Sequence, residues 1–148
     1  MHFCIINGVN LNMLGTREPH IYGTETLDDL ELMLREHAKD VELTFFQSNI
    51  EGEIVNCIHE CYHNKIDGIV INPAAFTHYS YAIADAIKGV DIPTIEVHIS
   101  NIHKREAFRQ HSVTASSCIG SISGFGFSGY RLALEHLLYS NRKKDNNK

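Results

Sequence analysis

A chain of 148 residues, 43% of them hydrophobic, suits one compact domain with a sizeable core and leaves no room for two. The formal charge of −5 disfavours a general nucleic-acid binder. The one basic run, NRKK at 141–144, falls in a polar tail at 141–148 that is expected to be disordered, so the domain is placed at 1–140. Cys4, Cys57, Cys61 and Cys118 sit in apolar-patterned segments rather than CxxC pairs, and neither a signal peptide nor an apolar stretch of about 18 residues is found, so a reduced, cytoplasmic protein without membrane contact is expected.

Short apolar runs alternate with amphipathic stretches. FCIING is a buried strand, followed by a long loop from Val9 to Thr24. A first helix begins beyond Thr26, a capping residue with Asp28 and Asp29 in the first turn, and carries Leu27, Leu30, Leu34 and Ala38 at helical spacing. VELTFFQ is strand two, and a helix from about Glu51 to His63 sets Ile54, Cys57, Ile58 and Cys61 on one stripe. GIVINP is strand three, HYSYAIADAI a helix, PTIEVHIS strand four, SCIGSIS strand five and GYRLALEHLLY the closing helix. Alternating strands and helices imply a parallel sheet with right-handed crossovers, and five such units fit an α/β flavodoxin-like, doubly wound five-stranded sheet in three α/β/α layers.

In that class ligands bind beyond the carboxyl ends of the strands. The residues there are Asn7, Asn10 and Asn12, then Arg17 and Tyr22, after strand one; Asn72, Thr77 and His78 after strand three; and Glu96, His98 and Ser100 at strand four. Asparagines after a strand commonly satisfy turn backbone, and a lone histidine there is more often structural, but two histidines at neighbouring strand ends point to convergence. Arg17 and Tyr22 fall in LGTREPHIYG, where Pro19 resists helix and favours a loop that closes over something.

CIHECYH offers Cys57, His59, Cys61 and His63, but alternate residues on a helix point about 200° apart, so these four ligands do not converge and no metal site is expected. GFGFSGY lacks the strand-to-helix context of a dinucleotide fingerprint, so no nucleotide cofactor is expected either. A tyrosine beside an arginine, with histidines and amides nearby, suits proton abstraction next to a carbonyl. A guanidinium favours phenolate, amides and water hold the resulting enolate, and an imidazole protonates a departing hydroxyl. The sum is a dehydration.

INGVNLNMLGTREPHIYG, INPAAFTHYSYAIADAI and IEVHISNIHKREAFRQHS resemble the signature segments of the type II 3-dehydroquinate dehydratases, in the family's order and spacing. The resemblance implies a hydro-lyase that converts 3-dehydroquinate to 3-dehydroshikimate without cofactor, in the shikimate pathway of aromatic amino acid biosynthesis, and a homododecamer of four trimers. It further implies Tyr22 as general base with Arg17 as its activating partner on a lid, Asn10 holding a water at the enolate oxygen, and His98 as general acid with Glu96 orienting it. Asn72, His78, Ile99, Ser100 and Arg109 match substrate-gripping positions, and Asp85 one that serves the neighbouring subunit's site. Seven residues beyond His78 on the expected helix, Asp85 shares its face about 10 Å along. Val9 stands where the family usually has proline, and Ala74 where it commonly has glycine. The alternative reading is a non-catalytic flavodoxin-like module that binds a flavin or other small molecule.

Overall fold

The computed structural model describes residues 1–16 and 18–146. Its elements run β1 (His2–Asn7), α1 (Pro19–Tyr22), α2 (Leu27–His37), β2 (Glu42–Gln47), α3 (Glu51–His63), β3 (Gly68–Asn72), α4 (Tyr81–Val90), β4 (Thr94–His98), β5 (Gly120–Ser123) and α5 (Ser128–Asn146), with short 3-10 turns between them. All strand pairs are parallel, in the order β2-β1-β3-β4-β5. This is the doubly wound, flavodoxin-like order expected from the alternation of elements. Among the described residues no helix is long and apolar enough to cross a membrane.

Successive strand residues point to opposite faces, and that alternation splits the core in two. On one face Phe3, Ile5, Val70 and Val97 meet Leu30 and Leu34 of α2 and Leu134 and Leu137 of α5. On the other, Cys4, Ile6, Ile69 and Ile71 meet Ile54 and Ile58 of α3 and Ile83 and Ile87 of α4. β3 and β4 are buried along their whole length, which is why they read as continuous runs rather than alternating ones. Thr26 and Asp29 close a capping box that fixes where α2 begins.

Four expectations change. The segment from Val9 to Thr24 is not all loop: Leu11–Met13 forms a 3-10 turn and Pro19 starts a single helical turn, since the first helical position needs no backbone N–H. α4 begins at Tyr81, because the Ser80 hydroxyl accepts the Ile83 N–H at 3.1 Å. His78 instead ends a separate 3-10 turn, Ala74–His78, so it shares no helix face with Asp85. At the other end, α5 continues through Asn146 where a disordered tail was expected from residue 141. Asn141 donates to the Leu137 carbonyl at 2.9 Å, and Lys143 and Lys144 complement the helix's negative end; residues 147–148 lie outside the described residues. Tyr79 and Tyr81 are exposed, whereas Phe127 is buried, edge-on to Tyr130.

One buried network ties the sheet to α5 beneath the rim. Asn7 and Asn72 are paired across β1 and β3, and the Tyr130 hydroxyl accepts from Asn72 Nδ2 at 2.8 Å while donating to Asn7 Oδ1 at 2.7 Å. Burial pushes the Tyr130 phenol up, so it stays a neutral donor. Asn72 Oδ1 accepts the Ala74 N–H at 3.0 Å, which aims the turn after β3. Tyr130→Phe leaves both asparagines short of a partner in the core. We expect it to cost ~1–3 kcal/mol of stability in denaturant unfolding, and an unchanged unfolding midpoint would show the network to be energetically idle.

Candidate active site

The carboxyl ends of β1, β3 and β4 open into a cavity of about 210 Å³. Asn10 and Leu11 line it from beyond β1, Leu14 and Tyr22 from the segment that follows, and Asn72 and His78 from beyond β3. His98, Ile99, Ser100 and Arg109 line it from the end of β4 onward. Glu96 lies behind His98, in contact with it. Asp85 is exposed on α4, beside His59, Tyr62 and His63 and away from this cavity. Arg17 lies outside the described residues.

Glu96 and His98 are two apart on β4 and therefore share a face. His98 Nε2 donates to Glu96 Oε2 at 2.9 Å, with the carboxylate 1% exposed and the imidazole 7%. Ser112 donates to the same Oε2 at 2.8 Å and Thr114 donates to Oε1. Thr77, expected at the rim, sits behind it instead, hydrogen-bonded to both Ser112 and Thr114. Burial pushes the Glu96 carboxyl up, but the His98 hydrogen bond and charge, with the two hydroxyls, outweigh burial and hold it below its ordinary 4.5.

Tyr22 meets a partner that the sequence reading passed over. Arg105 Nη1 donates to the Tyr22 hydroxyl at 2.7 Å, and its guanidinium carbon lies 5.4 Å from the ring centre. A charge-assisted donor at a phenol oxygen stabilises negative charge there, the role that was sought from Arg17. The only local signal for Arg105 was its place in the loop after strand four.

His78 Nδ1 donates to the His111 carbonyl at 2.8 Å, which fixes its tautomer and leaves Nε2 as an acceptor. Burial, with smaller contributions from the charges of His98 and Arg109, lowers its pKa despite the His111 hydrogen bond, favouring the neutral ring. Arg109 packs over Phe108 and pairs through Nε with Glu106 at 2.9 Å, an ion pair whose alignment misses a true hydrogen bond. Asn10 holds a left-handed backbone, φ 67°, and its N–H donates to Asn49 Oδ1 at 2.8 Å.

The cavity thus combines a phenol under a guanidinium, an imidazole backed by a buried carboxylate, and a second arginine suited to a carboxylate. As metal donors its groups are poorly placed: Glu96 and His98 are engaged with each other, and His78 with a backbone carbonyl.

Residues 1–138 match the family model described as dehydroquinase class II. The chain is 58% identical to a 3-dehydroquinate dehydratase of Clostridium perfringens (strain SM101 / Type A), over 93% of this chain and 95% of the relative. A type II dehydroquinase structure from Butyrivibrio crossotus superposes with a TM-score of 0.91 at 51% identity, covering 93% of this chain and 97% of that one. One from Propionibacterium acnes does so at 0.88 and 45%, covering 92% and 94%. The alternative of a non-catalytic flavin-binding module finds no support among these relatives. Matched along nearly its whole length by the family model, by a curated relative and by solved structures, the chain belongs to the class II dehydroquinase family.

Proposed function

We propose that the chain is a type II 3-dehydroquinate dehydratase, a cytoplasmic hydro-lyase that takes 3-dehydroquinate to 3-dehydroshikimate in the shikimate route to aromatic compounds. The observation that carries this reading is one cavity holding both a charge-supported phenol, Tyr22 with Arg105, and a carboxylate-supported imidazole, His98 with Glu96. Tyr22, as phenolate, removes the proton from the carbon beside the ketone, and the electron pair moves onto the carbonyl oxygen as an enolate. Asn10 holds a water against that oxygen. The enolate then re-forms the ketone as the carbon–oxygen bond to the leaving hydroxyl breaks, and His98 delivers the proton that makes it water. The step is redox-neutral and needs no cofactor.

Arg109 grips the substrate carboxylate with its fork of donors, and Asn72, His78, Ile99 and Ser100 engage the hydroxyls. Arg17 closes with the segment around Pro19 as a lid, adding its charge at Tyr22 and excluding water. Asp85, exposed on α4 outside its own cavity, serves the site of a neighbouring subunit in a dodecamer of four trimers. Tyr79 and Tyr81, exposed just before and at the start of the same helix, supply apolar surface for that contact.

Tyr22→Phe keeps the ring and removes the base, so kcat is expected to fall ~100- to 10,000-fold while binding of a substrate analogue stays within a few fold; near wild-type turnover would sink the role given to Tyr22. His98→Ala blocks hydroxyl departure, so hydrogen exchange beside the ketone should survive where dehydration fails, and loss of both together would argue against separate steps. Arg105→Gln removes a charged donor worth ~1.5–3 kcal/mol, and kcat/KM should drop about 10- to 100-fold, an effect that a merely structural arginine would not show in a folded variant.

Glu96→Gln tests the buried carboxylate. The folded-state pKa of Glu96 is lowered, so the stability it contributes is present above the ordinary 4.5 and is lost as pH falls through the folded value. The variant should be less stable than the parent by ~1–3 kcal/mol near neutrality, with the gap narrowing below about pH 4.5. A gap that stays constant into acid would refute the assignment.

A further inference from the structure

The cysteines of CIHECYH meet a third thiol that no local spacing announces. Cys57 and Cys61, one turn apart on α3, lie on the same face of the helix, and Cys4 projects from β1 into the same layer. The three Sγ atoms all lie within 4.8 Å of one another. Among the described residues they are the one group of three histidine, cysteine or acidic side chains gathered closely enough to hold a metal ion. His59 and His63 look the other way, lining a separate hollow with Asp85, so the helix alone has no four-ligand set, as its geometry predicts.

We propose that Cys4, Cys57 and Cys61 form a three-thiolate site for Zn²⁺, distinct from the active site, with a water from the adjoining cavity as fourth ligand. Zinc–sulfur bonds of ~2.3 Å in a tetrahedron set the sulfurs roughly 3.8 Å apart. The observed sulfurs, all within 4.8 Å of one another, are within about 1 Å of that spacing. A cavity of about 520 Å³ opens onto the trio, lined also by His2, Thr44, Glu60 and Asn64, and shares no residue with the active-site cavity. It provides an entry path and the open fourth position, while Cys4 and Cys61 are buried and Cys57 is half-exposed at its floor.

A divalent ion displaces the thiol protons and neutralises thiolates that burial otherwise disfavours, so binding releases protons. The ion would pin β1 to α3.

Titrating the reduced full-length protein with Co²⁺ in the absence of oxygen tests this. Expected are a thiolate-to-cobalt charge-transfer band and the d–d bands of a tetrahedral ion, saturating at one ion per chain and abolished by Zn²⁺. Cys57→Ser, at the half-exposed member, should weaken Co²⁺ binding at least tenfold, whereas Cys118→Ser, outside the trio, should leave the titration unchanged. Thermal unfolding of the unaltered protein gives a readout that does not depend on a variant: saturating Zn²⁺ should raise the midpoint. Absence of the charge-transfer band from the folded protein, or bands retained undiminished in Cys57→Ser, would overturn the proposal.

Discussion

A carboxylate taken out of water must be fully provided with donors or surrender its charge. Glu96, 1% exposed within β4, meets that demand by drawing the distant chain segment Ser112–Thr114 back across the strand. Much of the site follows from this single constraint. Val113 N–H donates to the Thr77 carbonyl at 2.8 Å, joining the returning segment to the turn after β3, and the neighbouring His111 carbonyl takes the His78 Nδ1–H. The stretch between β4 and Ser112 is thereby closed at both ends, and it carries Arg105 and Arg109. One buried charge thus orients His98 directly, and His78 and the two arginines through the backbone.

Local pattern carries the elements and their order. α3 spans Glu51–His63 as its stripe and flanking polar residues predict, and the fully buried β3 and β4 announce themselves as unbroken apolar runs. The strand-end residues Asn10, Asn72, His78 and His98 were legible for a related reason: in a doubly wound sheet the topology itself says where chemistry collects. What escaped was decided by distance in space. Arg105 lies between Lys104 and Glu106, where it reads as one more solvated charge, and only a contact spanning 83 residues makes it the partner of Tyr22. Tyr130 reads as an ordinary helix aromatic until its hydroxyl is found between Asn7 and Asn72. Thr114 and Cys4 are the same case, their significance residing in what other elements bring to them.

Pro19 teaches the converse, that a correct rule can be applied to the wrong position. Proline breaks a helix interior, but at a first position its fixed φ and missing donor cost nothing. It therefore starts the turn Pro19–Tyr22, closed by the Gly23 N–H to the Pro19 carbonyl at 2.8 Å. That turn makes the position of Tyr22 a property of a short rigid unit rather than of a slack loop. Gly15 and Gly23 flank the segment at φ 89° and 82°, conformations a side chain would resist, and at Gly15 a Cβ would also meet the Thr24 carbonyl oxygen at 2.9 Å.

Backbone strain shows the same division between architecture and function. Among the described residues five non-glycine positions have positive φ: Asn10, Glu18, Lys65, Ala74 and Asp91. Lys65 and Asp91 directly follow or cap α3 and α4, where a left-handed residue is an ordinary way to end a helix. The other three have no such excuse, and they surround the cavity: Asn10 and Ala74 line it, and Glu18 precedes the turn that carries Tyr22. Ala74 is the telling member, since at φ 54° it holds a conformation worth ~1–2 kcal/mol of strain to an alanine, which a glycine would not bear. Its N–H is committed to Asn72 and its neighbour Pro73 presses on Gly8, where a Cβ would come within 2.2 Å of the Pro73 carbonyl oxygen. The backbone there cannot relax without moving Asn72, so the chain bears the strain and keeps the rim in place.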